Sequence, residues 1–506
     1  MADSIQKIKQ PELLFGFVCP IGADMTPAIQ SFRRHFSRRG YKVVEIKVTD
    51  VFKVLQKYFA PEDPLDKSTL HRRYVTYIGY GNQIRGKFGD SILASLAIRR
   101  VMAKRVKLSN SDEKFSKIVY LVHQFKRKEE IDLLRSVYGK LFFQISIYSR
   151  RGARVDYLSR KFANSHNATG PLKYRHLAES LVQDDENEVG KVHGQRVAKI
   201  FHDADFIANL DVDLNIDVQI DRFCELLFGS NRISPTHREY GLFLAKAAAL
   251  RSLDLSRQVG AAIFSQHGEI ISLGSNEVPK AGGGTYWADD PYDDRDFKRK
   301  YDSNFVRKKE ILAELVGLIS PGRNSDDLMN DPRIRDSQLM DALEYGRMVH
   351  AEMSALSDAA RTGHPVIGGT LYCTTFPCHM CAKHIVASGI KNVVFLEPYP
   401  KSLAADLHAD SIKIEGSDRG HYQMFPAVDF EHFYGVTPRR YREIFERGSR
   451  KDEANGAFIE YQNEEALPIV DVKYPFYSKL EEYLTQDAIA ALKQIVTEAE
   501  LTDVDT

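Results

Sequence analysis

Residues 369–381 read Gly-Thr-Leu-Tyr-Cys-Thr-Thr-Phe-Pro-Cys-His-Met-Cys, and this stretch decides the architecture around it. Its first half, residues 369–376, is rich in apolar and β-branched side chains and predicts a buried strand. Pro377 ends that strand and suits the approach to a helix start. Cys378 and Cys381 are three apart, so a first helical turn puts both thiols on one face. Ile385-Val386-Ala387 continues an apolar helical face, and residues 391–396, with Val393-Val394-Phe395-Leu396, supply the next strand. Strands that alternate with helices in this way imply a helix-covered sheet.

Working upstream, Cys378 lies 28 residues after His350, and His350-Ala351-Glu352 opens a second helical pattern with apolar Met353, Leu356 and Ala360. His350 and Glu352 are two apart, roughly 200° around an ideal helix. They meet at one centre only if the helix points at it end-on. One imidazole and two thiolates occupy three corners of a tetrahedral Zn²⁺ site and leave the fourth open to water, which is the pattern of a catalytic metal. A helix N-terminus favours thiolate over thiol, as a metal requires. Glu352 then lies beside the metal without ligating it, placed to move protons. Cys-x-x-Cys also serves as a redox pair or half of a zinc ribbon. The chain has no second such pair, and Cys19, Cys224 and Cys373 are isolated, which excludes a four-cysteine ribbon. Cys373 is expected to point into the core from its strand. His379 and His384 flank the motif without its spacing.

Residues 258–264 and 269–274 predict a hairpin that turns at His267-Gly268. The longer run of residues 251–279 (RSLDLSRQVGAAIFSQHGEIISLGSNEVP) resembles the opening of a deoxycytidylate deaminase. That resemblance covers about residues 234–398, with an insertion at 280–338, and implies that Asn276 binds the substrate sugar. Glu277 stands where the family usually has glycine, so the turn is altered. More narrowly, the whole chain resembles the anti-phage dCTP deaminases, through residues 280–287 (KAGGGTYW) and 397–402 (EPYPKS). The resemblance implies an α/β chain: an N-terminal P-loop kinase-like domain with a parallel sheet, and a C-terminal cytidine-deaminase-like α/β/α domain. It further implies hydrolytic deamination of dCTP, and of dCMP, that starves viral DNA synthesis. A homo-oligomer is expected.

The rest of the chain narrows the alternatives. Its 506 residues are enough for about two to four domains. A hydrophobic content of 43% and a charged content of 27% are ordinary for a globular protein. A net charge of +1 gives no global drive toward nucleic acid or anionic membrane. Residues 1–10 lack an apolar signal region, and no stretch approaches the ~18 apolar residues of a spanning helix. Five scattered cysteines make no disulfide framework, so the expected location is cytoplasmic.

Residues 12–20 (ELLFGFVCP) predict a first buried strand, followed by the loop 21–26 (IGADMT), a helix over 27–39 and a strand over 41–48. A phosphate-binding loop belongs at this place. A standard one ends Gly-Lys-Ser/Thr. Here Ala23 and Asp24 follow Gly22, and Gly16 lies six rather than five positions upstream. Gly16, Gly22 and Asp24 therefore form at most a degenerate nucleotide-binding loop, in which Asp24 repels phosphate. Residues 117–123 and 141–148 predict further strands around a helix at 127–138. Arg150, Arg151 and Arg154 read equally as a solvated face or a phosphate site. Residues 183–206 resemble the lid-and-return region of deoxynucleotide monophosphate kinases, and residues 217–229 close the domain. The expected organisation is a kinase-like domain at 1–229, serving as a nucleotide sensor or scaffold, and a deaminase domain at 234–506.

Within the second domain, the insertion 280–338 reads as a lid or a solvated excursion. Its residues 289–300 are dense in charge and 309–319 are helical. The extension 400–506 carries aromatic residues at 425–445 and a helix at 480–498, which pack on the core or on another subunit. Two rival functions remain. A nucleic-acid editing deaminase needs a basic groove, which the neutral composition does not supply. A bifunctional nucleotide kinase and dCMP deaminase needs the lysine that is missing after Gly22.

Overall fold

The computed structural model describes residues 8–108, 115–212, 214–320, 324–335, 337–399, 402–462, 465–470, 472 and 474–493. The chain divides into two compact units, one made of Met1–Pro235 with Tyr434–Thr506 and the other of Thr236–Phe433. The second compact unit ends at Phe433, whereas the expected domain 234–506 runs on to residue 506. Two short pieces of strand and helix explain why. Gly435–Val436 pairs with a strand of the first unit, and a helix at Tyr477–Lys493 buries Glu481 beside Arg105. Neither segment has an apolar period long enough to announce its partner.

The first unit is built on β1 (Leu13–Val18), β2 (Lys42–Lys47), β3 (Ile118–His123), β4 (Phe142–Tyr148), β5 (Phe206–Asn209) and β12 (Gly435–Val436). They form one sheet in the order β12-β5-β4-β1-β3-β2, parallel except for β12. Every residue of β1 is buried, as expected of a strand covered by helices on both faces. Phe32 and Phe36 of the helix Thr26–Arg38 pack on Phe15 of β1, with ring centroids 5.0 and 5.4 Å apart. The expected strands at 12–20, 41–48, 117–123 and 141–148 all form. β5 has only four residues and escapes a reading by period. The chain leaves β1 toward β2 on one side and later reaches β4 on the other, so the carboxyl end of β1 is a topological switch point.

The second unit is built on β6 (Gly260–Phe264), β7 (Ile270–Ser275), β8 (Thr370–Thr375), β9 (Asn392–Glu397), β10 (Ile412–Ile414) and β11 (Val428–His432). The order is β10-β11-β9-β8-β6-β7, with β6 antiparallel to both neighbours and the remaining pairs parallel. The β6–β7 hairpin turns where expected, with Gly268 at φ 93°. Cys373 points into the core and is fully buried. The helix Ala351–Arg361 lies close on β7: a Cβ on Gly274 would sit 2.1 Å from the Ala351 carbonyl oxygen.

The first half of the insertion is fastened at several points. Lys280 pairs with Asp290 at 2.5 Å, and Arg347 with Asp296 at 2.9 Å. From the helix Ser303–Ile319, Asn304 Nδ2 donates to the Ala342 carbonyl at 2.9 Å and Lys308 Nζ to that of Met340 at 2.6 Å. These bonds hold the segment that leads into His350. Among the described residues, no helix is long and apolar enough to cross a membrane. Pro400, Lys401 and the end of the helix expected at 480–498 lie outside the described residues.

Candidate active site

Two helix N-termini meet at the predicted centre. His350 is the N-cap of the helix Ala351–Arg361, and Cys378 is the N-cap of the helix His379–Ala387. Cys378 Sγ accepts the Cys381 backbone N–H at 3.5 Å, which turns the second thiol toward the first. His350 Nδ1 lies 3.4 Å from Cys378 Sγ and 3.3 Å from Cys381 Sγ. Tetrahedral bonds of about 2.0–2.1 Å to nitrogen and 2.3 Å to sulfur imply an N···S edge of about 3.6 Å. The three donors thus stand close to the spacing of zinc ligands, and their soft N/S/S chemistry fits Zn²⁺.

The electrostatics of the cluster follow from these contacts. Hydrogen bonds from Cys381 and then His350, working against burial, bring the Cys378 thiol down to about 4. Its hydrogen bond to Cys378 takes the His350 imidazole up to about 9 against the effect of burial. Glu352 is buried, with Oε2 3.5 Å from Cys381 Sγ. Burial pushes its carboxyl up, and the His350 charge opposes this. A buried carboxyl raised in this way suits a general acid–base.

Around the cluster is a cavity of about 320 Å³, lined among others by Asp254, Arg257, Leu343, Thr375, Phe376 and Tyr399. Asn276 also lines it, but its amide is used internally. Oδ1 accepts from Val259 N at 2.7 Å, and Nδ2 donates to Asp254 Oδ2 at 2.7 Å and to the Arg257 carbonyl at 2.9 Å. Asn276 therefore holds the loop 254–259 in place and aims Asp254 at the cavity. Burial raises the Asp254 carboxyl, against hydrogen bonds from Ser256 and Asn276. Sequence reasoning missed Asp254 and Arg257. Their signal was the polar run Ser252-Leu-Asp-Leu-Ser-Arg257 between a helix and a core strand.

Glu277 explains its own departure from glycine. It is 1% exposed, accepts from Leu253 N at 3.0 Å and Val278 N at 2.9 Å, and lies 3.5 Å from Arg295 of the insertion. Its backbone bridges to Val349, the residue before His350. His379 and His384 have no place among the three donors.

The three residues named for the N-terminal loop sit in different surroundings. Gly16 lies inside β1, where a Cβ would meet the Phe142 ring at 2.6 Å. Gly22 turns at φ 89° against the Arg154 backbone. Asp24 Oδ1 accepts from Thr26 N at 3.0 Å at the start of its helix. Arg151 and Arg154 both pair with Glu186 at 2.5 Å, so they do not form an open cationic face.

Residues 235–397 match the cytidine and deoxycytidylate deaminase zinc-binding region. A deoxycytidylate deaminase of Enterobacteria phage T4 is 48% identical over 54 residues, 11% of this chain and 28% of that protein. The human deoxycytidylate deaminase is 27% identical over 158 residues, 31% of this chain and 63% of its own. The chain thus spans less than two thirds of the length of these relatives. A solved dCMP deaminase from the cyanophage S-TIM5 aligns over 40% of this chain and 100% of its own, at 18% identity and a TM-score of 0.22.

Proposed function

We propose that the second unit is a zinc-dependent hydrolytic deaminase of free deoxycytidine nucleotides, dCTP and dCMP. The observation that carries this reading is the buried Glu352 carboxyl beside a His350–Cys378–Cys381 donor set at a cavity of about 320 Å³. Zinc held by these three residues supplies the Lewis acidity that makes water nucleophilic near neutral pH.

The side chains then set the proton path. Glu352 takes the proton that water loses as oxygen adds to C4 of cytosine, and delivers it to ring N3. A second proton passes through Glu352 to the exocyclic amine, the C4–N bond breaks and ammonia leaves. The net change is cytosine plus water to uracil plus ammonia, with no redox step. Phe376 and Tyr399 give the base apolar walls, and Asp254 faces it as a polar partner. Arg257 lines the cavity with its side chain 47% exposed, over the Tyr399 ring at 5.5 Å and 3.5 Å from Glu397, a loose pair from which it can turn to a substrate phosphate. The likeness of 280–287 to dCTP deaminases supports a defence role in which the dCTP pool is consumed during phage infection.

The test is to offer the zinc-loaded protein dCMP, dCTP, CTP and single-stranded DNA and to follow ammonia release. Turnover of dCTP or dCMP to the uracil product is expected. Turnover confined to the oligonucleotide would replace this reading with an editing activity. A dCTP pool that stays level in infected cells expressing the active protein would remove the defence role alone.

A further inference from the structure

A second cavity, of about 440 Å³, opens within the first unit at the carboxyl ends of β1, β2 and β3. This is the topological switch point of the sheet, where α/β proteins bind ligands. Phosphate is ordinarily received there by loop N–H groups, but this chain fills that place itself. Asp185 is fully buried and accepts the Ile21 N–H at 2.7 Å through Oδ2. Its Oδ1 accepts from Lys126 Nζ at 2.6 Å, and the same ammonium donates to the Cys19 carbonyl at 3.0 Å. One built-in carboxylate thus occupies both the loop amide and the nearest lysine.

The remaining walls describe what the cavity accepts. Phe52, Tyr74 and Tyr77 line it, with Phe52 and Tyr77 centroids 5.8 Å apart and Arg73 over the Tyr77 ring at 5.3 Å. Two residues lining it, Gln195 and His123, each carry a buried atom, Oε1 and Nδ1, that has no hydrogen-bond partner among the described residues. The residues that carry them are 6% and 4% exposed. Buried polar atoms left in that state call for a partner. His123 Nε2 is 3.0 Å from Glu45 Oε1, so its N–H is spent on the carboxylate and Nδ1 offers a lone pair. Gln195 Oε1 is also an acceptor. Two acceptors between aromatic walls ask for a flat ring that carries N–H donors.

We propose that this cavity binds an amino-bearing nucleobase, as the nucleoside, with no phosphate in the loop. Adenine and cytosine present an exocyclic amine to Gln195 and His123 and a π-face to Tyr77, while Asp185 excludes the phosphates.

Isothermal titration of the full-length protein with adenosine, cytidine, uridine, inosine and ATP tests this. Adenosine or cytidine should bind at least about tenfold more tightly than uridine or inosine, the worth of about one or two hydrogen bonds. ATP should bind no more tightly than adenosine. Gln195→Met and Tyr77→Ala act from different walls, and each should weaken binding by about tenfold, so a folding failure in one, seen by melting, leaves the other decisive. Asp185→Asn should raise the affinity for ATP relative to adenosine. The proposal is overturned by ATP binding tenfold more tightly than adenosine, by no preference for amino-bearing bases, or by no binding at millimolar nucleoside. Binding unchanged in both wall variants also overturns it, by assigning the nucleoside to the zinc-site cavity.

Discussion

Glu352 and its three neighbours divide one task, so single substitutions should separate metal content from turnover. Glu352→Ala removes no ligand; zinc should stay at one per chain while ammonia release falls by about 10²–10⁴-fold, the usual worth of a positioned acid–base. Cys378→Ala and Cys381→Ala should lose zinc and activity together. Elemental analysis beside the rate decides between the roles, and a zinc-free, folded Glu352→Ala protein would contradict them. Asn276 calls for a different expectation than the sugar contact read from the sequence. Its amide closes three internal hydrogen bonds, to Val259, Asp254 and Arg257. Asn276→Ala should therefore cost about 2–3 kcal/mol, near 1 kcal/mol per bond. For a unit of this size that lowers Tm by several degrees, at about 2–4 °C per kcal/mol. A lower kcat/KM with unchanged Tm would return Asn276 to direct substrate binding.

At the level of elements, the site depends on how closely a helix lies on a strand. Gly274→Ala places a methyl 2.1 Å from the Ala351 oxygen, and backbone cannot yield as a flexible side chain does. The helix that presents His350 and Glu352 should lift, costing about 1–3 kcal/mol and weakening zinc binding by about tenfold or more, though no ligand is touched. Competition for zinc with a chelator reads this directly. In the first unit, the helix Thr26–Arg38 buries His35, whose neutral ring donates from Nδ1 to Asp221 at 3.2 Å and accepts from Arg39 at 2.6 Å. Burial lowers its pKa from 6.5 to about 3. Between those values the unfolded chain binds the extra proton, so stability should fall as pH drops below about 6.5. His35→Gln should flatten that slope in melts taken from pH 7 to 4. The elements that read cleanly from the sequence were those with a full apolar period: β1, β3, β4, β8, β9 and the β6–β7 hairpin. His350, Glu352, Cys378 and Cys381 were legible because metal chemistry constrains both residue type and spacing. Asp254 and Arg257 were not, because a short polar loop carries no period and gains its meaning only once Asn276 folds over it.

Across the whole molecule, the two compact units divide at Pro235, and the chain returns to its first unit after Phe433, where sequence reasoning had least to use. The link is a buried charge cluster between distant segments. Arg105 is 4% exposed by side chain and pairs with Glu12 at 2.5 Å and Glu481 at 2.7 Å, both fully buried, while the Tyr138 hydroxyl donates to Glu481 at 2.7 Å. Two carboxyls share one guanidinium, and burial raises the Glu12 carboxyl against the pull of Arg105. Glu481→Gln leaves Arg105 paired with Glu12 and keeps an acceptor for the Tyr138 hydroxyl, so it should cost less than about 1 kcal/mol. Arg105→Met removes the cation that Glu12 and Glu481 share and strands two buried carboxyls, which should cost about 3–5 kcal/mol. Truncation after Phe433 takes away Glu481 and the β12 pairing together, so the unit holding Arg105 should melt well below its intact temperature. Every ligand of the proposed zinc centre lies within Thr236–Phe433. Zinc content and ammonia release of the truncated protein should therefore persist below that transition. Loss of zinc at a temperature where the first unit is still folded would show that the two units do not divide the molecule as their cores do.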